Sequence, residues 1–274
     1  RRTAALIAPS IASEFDDITD YRKFVGMIRS LGFTYVHEVS FGVDLVAYAY
    51  RKLFEESSGK YYITSNCPSI VEMIEKYHPN LVPNLAPLVS PMVATALVTR
   101  GLYGDEVVNV FIGPCIDIKA EAERYGDRSL VEAVLTFIEI RQLFEEYEIQ
   151  EKTVKMSEFD PPFGNWGALY PYPAGILQAA GIKRDLVSSQ VITASGAEDV
   201  KEAINDFDHH IDTIRHHFNL FFCQGCMLGP GMIRHDERFR RRSLVKQYAE
   251  KRVEALDKKQ WEKDMERWSE LDLS

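Results

Sequence analysis

The sequence predicts an α/β fold: two lobes of mostly parallel β-sheet with flanking helices. Short apolar, strand-like runs alternate with helically spaced apolar residues over the first hundred positions, and a second alternation begins at Val107. Strand, helix, strand, helix, strand is the pattern of a parallel sheet with covering helices.

Residues 4–8 form a buried strand that ends at Pro9. Tyr21, Phe24, Val25, Ile28 and Leu31 recur at helical spacing, with Gly32 as the stop. Residues 35–39 give a second strand, 44–55 a helix and 61–65 a third strand. A helix follows Cys67, with Pro68 at its first position and Ile70, Val71, Ile74 and Tyr77 on one face. Residues 79–91 are a proline-punctuated connection, and 92–101 a helix. The second alternation runs through a strand at 107–112, a helix at 130–146 and a Gly, Pro and aromatic loop at 159–173. It continues with a short helix at 174–180, a strand at 186–192, a helix at 197–207 and a strand at 218–222. From Asp236 to about Leu271 the chain is highly charged, with Phe239, Leu244, Val245, Tyr248, Val253, Leu256 and Trp261 at helical spacing; one or two solvent-facing helices are expected. The expected division is a domain at 1–235, with lobes at about 1–104 and 105–235, followed by the charged helical segment 236–274.

A chain of 274 residues buries a substantial core, and 46% hydrophobic with 27% charged residues is ordinary for a globular protein. The net charge of −9 argues against nucleic acid or an anionic membrane as partner. No stretch of about 20 uninterrupted apolar residues exists, so no transmembrane helix is expected. The chain begins abruptly at Arg1 in an apolar run, without initiator methionine or signal sequence, as expected of a domain cut from a longer cytoplasmic protein.

All four cysteines lie in three short motifs: Thr64-Ser65-Asn66-Cys67-Pro68, Gly113-Pro114-Cys115-Ile116-Asp117-Ile118-Lys119-Ala120-Glu121, and Cys223-Gln224-Gly225-Cys226-Met227-Leu228-Gly229-Pro230-Gly231. Cys115 and Cys223 follow the strongly apolar runs 107–112 and 218–222, and Cys67 comes at the end of the mixed run 61–65; sites in open α/β sheets gather at the carboxyl ends of strands. Cys67 also precedes a helix N-terminus, where the helix dipole favours a thiolate. Two disulfides are arithmetically allowed, but the CxxC of Cys223 and Cys226 without a secretion signal favours metal or redox chemistry. From spacing alone, zinc and iron–sulfur remain open, as do a thiol redox pair and buried structural cysteines.

The words around these cysteines resemble the [FeFe]-hydrogenase large-subunit family over nearly the whole chain, from Ala8-Pro9-Ser10 through Phe41-Gly42-Val43-Asp44-Leu45 to the last cysteine pair. The first motif is similar to TSCCP. Pro114-Cys115 with Lys119 and Glu121 is similar to MPCxxKxxE. Cys223-Gln224-Gly225-Cys226 with Gly229 and Gly231 is similar to CxGGCxxGGGQ, one residue shorter. The resemblance implies a [4Fe–4S] cluster held by Cys67, Cys115, Cys223 and Cys226 between the lobes. It further implies that Cys226 bridges to a diiron subcluster carrying CO, cyanide and azadithiolate, together the H-cluster. Implied partners are H2 and protons, ferredoxin or ferredoxin-like domains, hydrogenase maturation proteins, a signalling partner and a second copy as homodimer. Pro9, Ser10, Asn66, Lys119 and Tyr170 are the other site residues the resemblance points to.

Departures from the family matter. Asn66 stands where fast hydrogenases carry a proton-delivering cysteine, and a neutral amide is a poor proton donor or base. The remaining relay positions align with Ala86, Tyr50 and Leu53. Ile118 takes the place of the cyanide-contacting lysine, with Lys119 one residue later. Gly113 and Phe221 replace flanking methionines, and the closing GGGQ becomes Gly229-Pro230-Gly231-Met232. Ser90-Pro91 match the family. The pattern is similar to the sensory-type members, so slow H2 turnover in a sensing role is expected; the alternative is a non-catalytic iron–sulfur scaffold or electron-transfer protein with a cubane alone.

The pairs His209-His210 and His216-His217 lack ligand spacing and read as a polar connector, and Arg238, Arg240, Arg241 and Arg242 as a solvated face or interdomain contact. Trp166, Phe163, Tyr170 and Tyr172 share a loop whose family counterpart lies near the diiron unit. Glu121 reads as a supporting group or salt-bridge partner rather than a catalytic acid.

Overall fold

β1 (Thr3–Ile7) lies inside the larger of two sheets, with Ala4, Ala5, Leu6 and Ile7 wholly buried. The computed structural model describes residues 2–124, 130–183, 185 and 187–274. After β1 come α1 (Ile11–Glu14), α2 (Tyr21–Ser30), β2 (Tyr35–Glu38), α3 (Ser40–Glu56), α4 (Pro68–Tyr77) and α5 (Pro91–Tyr103). Then follow β3 (Val108–Gly113), α6 (Asp117–Arg124), β4 (Ala133–Thr136), α7 (Phe137–Glu146) and α8 (Gly175–Ala179). The chain continues through β5 (Val191–Ser195), α9 (Ala197–Ile214), β6 (His217–Phe221), α10 (Arg238–Glu254) and α11 (Lys258–Arg267).

The four-stranded sheet has the order β2-β1-β3-β4, and β5 pairs with β6 in the other; every ladder is parallel. The α/β expectation therefore holds. Helices α2, α5 and α7 cover the larger sheet, and its central strand β1 is accordingly buried and apolar from Ala4 to Ile7 rather than alternating. A second core joins Ile63, Ile70 and Ile74 to Ile204, Phe207 and Phe218, between α4, α9 and β6.

The sheets do not follow the expected division at residue 104. β3 joins β1, while Ile63 bridges β6 at Phe218 and the chain at Leu85. The expected strand at 61–65 is reduced to these bridges, because Pro68 opens α4 on one side and a 3-10 helix, Pro79–Asn84, directs the chain back on the other. Residues 130–146 are not one helix. Ala133–Thr136 pairs with β3, and Thr136 then caps α7 in a reciprocal bond with Glu139. The expected strand at 186–192 begins at a residue outside the described ones; the observed strand is Val191–Ser195. His209 and His210 extend α9 rather than a connector, and His217 opens β6.

The charged C-terminal helices are not merely solvent-facing. α10 buries Arg241, Val245, Ala249 and Arg252. Arg252, 8% exposed, donates to the Tyr21 hydroxyl at 2.7 Å and Glu158 at 3.1 Å, and its Nε lies 3.7 Å from Glu38, itself 3% exposed. Tyr248 and Ser40 also donate to Glu38. Arg241 donates to the Ser13 carbonyl at 2.8 Å. Trp261, Met265 and Trp268 pack on Phe41, Leu45 and Val98. Helical periodicity locates these residues but does not reveal that cations on the same face meet buried carboxylates. Among the described residues no helix is long and apolar enough to cross a membrane.

Removing one partner of a buried ion pair strands the other charge. Arg252→Ala is therefore expected to lower the unfolding free energy by about 3 kcal/mol, read as a lower urea midpoint at unchanged slope. The exposed control Lys259→Ala should cost under about 0.5 kcal/mol. Two buried histidines add a pH dependence. Burial pushes His37 and His217 down to about 4, and His217 Nδ1 accepts from the Tyr62 amide at 3.0 Å, a bond only the neutral ring can make. The unfolded chain thus binds more protons than the folded one between about pH 4 and 6.5. Stability is expected to be full above 6.5 and to fall as pH drops toward 4, by up to about 3 kcal/mol per histidine. Urea midpoints measured from pH 7 to pH 4, with His37→Phe flattening the curve, check this.

Candidate metal centre

Parallel strands of both sheets end on one shared cavity. Ala8, Pro9 and Ser10 follow β1, Pro114 and Cys115 follow β3, and Cys223 and Cys226 follow β6. Asn66 and Cys67 follow the Ile63 bridges. These residues, with Tyr170 from the loop before α8, line about 690 Å³ of space free of protein atoms, solvent at the mouth included.

Local structure sets each cysteine. Cys67 caps α4, and its carbonyl accepts from Ile70 at 3.0 Å. Backbone N–H groups of Phe222, Ile70 and Ser69 favour its thiolate, and those of Ile118 and Asp117 favour that of Cys115. The Cys223–Cys226 loop is held against the Cys115 loop by glycines. Gly231 N–H donates to the Pro114 carbonyl at 2.7 Å, and a Cβ at Gly229 would stand 2.4 Å from that same oxygen. Gly225 has φ +101°, a backbone region that L side chains rarely adopt.

Burial opposes these dipoles. It pushes all four thiols up, Cys223 to about 11, and the charges of neighbouring cysteines add to the rise for Cys115, Cys223 and Cys226. Cys226 feels Cys67, Cys115 and Cys223, so the four form one electrostatic unit. Such a set holds protons until a cation replaces them, which is the chemistry of a thiolate-bound metal. Among the described residues no group of three or more His, Cys, Asp or Glu side chains is already gathered around a metal-ion position. Thiols from three loops around one cavity supply the donor chemistry that an iron–sulfur group takes.

The wall carries a second sign of a polar occupant. Ser10 Oγ, Asn66 Oδ1 and Glu121 Oε2 are buried without a hydrogen-bond partner, and all three residues line the cavity. Buried polar atoms are nearly always bonded, so three in one wall point to a bound polar group. The residues present therefore fit an iron–sulfur group.

Of the expected site residues, the four cysteines, Pro9, Ser10, Asn66 and Tyr170 come together here. The Tyr170 hydroxyl donates to the Asn66 carbonyl at 2.6 Å and fixes that turn. Lys119 does not line the cavity; its ammonium pairs with Glu139 at 2.6 Å. The reason is helical: Ile118 and Glu121, three apart on α6, share the face that lines the cavity, and Lys119 is turned away by roughly 100°. Glu121, expected as a supporting group or salt-bridge partner, lines the cavity itself, and its spacing from Ile118 is the signal that places it there. Ser90, Met92 and Phe111 also line the cavity. At the aligned relay positions, Tyr50 lies 3.1 Å from Ser65 Oγ, which donates to the Leu88 carbonyl at 2.7 Å, and Ala86 is buried.

A family model for the iron only hydrogenase large subunit, C-terminal domain, matches residues 1–230. Iron hydrogenase 1 of Clostridium pasteurianum is 28% identical over 228 residues, which is 73% of this chain and 40% of that protein. The chain thus spans less than half the length of this curated relative. An [FeFe]-hydrogenase structure concerned with oxygen inactivation through modification and degradation of the 2Fe subcluster superposes with a TM-score of 0.73 at 17% identity, covering 100% of this chain and 90% of that one. A variant [FeFe]-hydrogenase from Chlamydomonas reinhardtii gives a TM-score of 0.70 at 18% identity, covering 94% and 85%. At these identities the structural likeness speaks for the fold.

The contact of Gly229 with Pro114 yields a direct prediction. Gly229→Ala forces its Cβ against a backbone oxygen, an overpacking expected to cost about 1–3 kcal/mol. Calorimetric unfolding checks this, with Gly59→Ala, where no atom lies within 4 Å but φ is +75°, as the control for backbone strain alone.

Proposed function

The chain belongs to the family of the iron only hydrogenase large subunit, C-terminal domain, and from that premise we propose that it is an H-cluster domain that interconverts H2 with protons and electrons, slowly, in the service of sensing. The observation that carries this reading is the convergence of four cysteines from three motifs on one cavity at the strand ends. Cys67, Cys115 and Cys223 would hold a [4Fe–4S] cluster, with Cys226 shared between it and a diiron subcluster bearing CO, cyanide and azadithiolate. When bound, this group supplies an open iron site and a nearby amine for heterolytic H2 cleavage.

The chain's own residues do the rest. The thiols anchor the group, and Pro9, Pro91, Met92, Phe111 and Phe221 give it an apolar wall that limits water and tunes potential. Slowness follows from the groups beside it. Asn66 offers a neutral amide in place of an acid. The Tyr50–Ser65 bonds end on the Leu88 carbonyl, which has no proton to pass on. Lys119, committed to Glu139, is withdrawn from the site roles the resemblance assigned to it. The reading places the protein in the cytoplasm, served by hydrogenase maturation proteins and by a ferredoxin-type electron partner, with a signalling partner receiving its output.

The test is an infrared spectrum of anaerobically reconstituted protein after incubation with a synthetic diiron azadithiolate complex. Fe–CO and Fe–CN bands that shift under H2 are expected, with turnover at least about a hundredfold below a relay-containing relative. A brown protein with an intact cubane and no such bands would instead support the iron–sulfur scaffold and remove the bridging role from Cys226.

A further inference from the structure

One acidic group of the cavity wall has no part in the reading above. Glu121 lies on α6 with Oε2 buried and without a hydrogen-bond partner, while the residue as a whole is only partly buried. Its wall position is shared with Ile118 and Ser90. The charged groups around it are largely spent on one another. Lys119 pairs with Glu139 from α7 at 2.6 Å, Arg124 with Glu75 from α4 at 2.7 Å, and Asp117 accepts from Ser69. The Ser90 hydroxyl, at the start of α5, and the Arg124 charge favour its anion, yet burial outweighs both and pushes the carboxyl up to about 7. Apart from the four thiols, which burial pushes up and which the bound group would take as ligands, the other polar side chains of this wall are amide, hydroxyl or phenol, which do not exchange protons readily near neutrality.

We propose that Glu121 exchanges protons between solvent and the group bound in this cavity, taking the place of the acid that Asn66 cannot be. This rests on the hydrogenase reading for the identity of the bound group. In the donating direction the Oε2–H bond breaks, the proton passes to a basic atom of the bound group, and Glu121 remains as carboxylate. A proton from water at the partly exposed edge of the residue restores the acid. The reverse direction carries the proton out; no electron moves in either. A carboxyl that titrates near working pH serves both directions, whereas an ordinary exposed glutamate would be almost wholly carboxylate there and hold no proton to give.

The experiment compares the full chain with Glu121→Gln and Glu121→Asp, before and after loading with the diiron complex. Infrared titration of the unloaded wild-type protein is expected to show a carboxylic-acid carbonyl band that vanishes with a midpoint near 7, shifts in D2O, is absent from Glu121→Gln and persists in Glu121→Asp. In loaded protein, isotope exchange between D2 and water is expected to fall at least about tenfold in Glu121→Gln, to lose the ionisation near neutrality from its pH profile, and to recover in part in Glu121→Asp, with Fe–CO and Fe–CN bands unchanged. Unchanged exchange and pH profile in Glu121→Gln would overturn the proposal, as would the lack of a titrating band in the wild type. If loaded wild-type protein shows no Fe–CO bands or no response to H2, the hydrogenase reading fails by itself. The infrared titration and its D2O shift then still decide whether Glu121 exchanges its proton.

Discussion

Parallel pairing is the constraint on which the site depends. Because every ladder in both sheets is parallel, the strands of each sheet end on the same side. The segments after β1, β3 and β6 and after the Ile63 bridges can therefore converge without long loops. An antiparallel partner at β3 or β6 would send its cysteines to the opposite edge. Two backbone contacts complete the convergence: Gly231 bonds to Pro114, and Gly229 lies against the same carbonyl, joining a loop of the small sheet to one of the large. No side chain fits there, which gives the closing glycines of the third motif a mechanical meaning.

The same convergence is electrostatically costly. Burial and mutual repulsion keep the thiols protonated, and the N–H groups at the starts of α4 and α6 offset only part of that cost. Under the hydrogenase reading, a metal group bound by these thiols would offset that cost by taking the place of their protons. The rest of the wall is largely apolar, and three of its polar atoms, on Ser10, Asn66 and Glu121, are left without protein partners. Under the hydrogenase reading such a wall suits the holding of a bound group more than acid–base chemistry, with Glu121 as its one carboxyl among the described residues.

The C-terminal helices reach the site through packing. Asp44 on α3 accepts from the Asn165 amide at 2.6 Å, the Gly167 amide at 2.7 Å and Trp261 of α11 at 3.0 Å. One buried carboxylate thus ties the last helix to the loop that carries Tyr170, and Tyr170 in turn holds the Asn66 turn. Arg252 adds a second fastening through Glu38 at the end of β2. These helices lie beyond residue 230, where the family match ends, yet they brace the cavity wall. Under the sensing reading, they are a physical link between the occupied cavity and whatever contacts the far side of α11.

By itself the sequence determined the α/β class, most helices, and three cysteine motifs at strand ends, because periodicity, proline and glycine positions act locally. It did not determine strand partners. β3 adds to β1 across a hundred residues, and the 61–65 run gives up its strand to two single bridges. Nor did it reveal the roles of charges. Lys119 and Glu121 stand two apart in a motif that treats them alike, but the helix sends one to Glu139 and the other to the cavity. Arg252 reads as one more cation on a solvated face until tertiary packing brings Glu38 against it. Pairing and charge burial depend on groups distant in sequence, so only the assembled structure decides them.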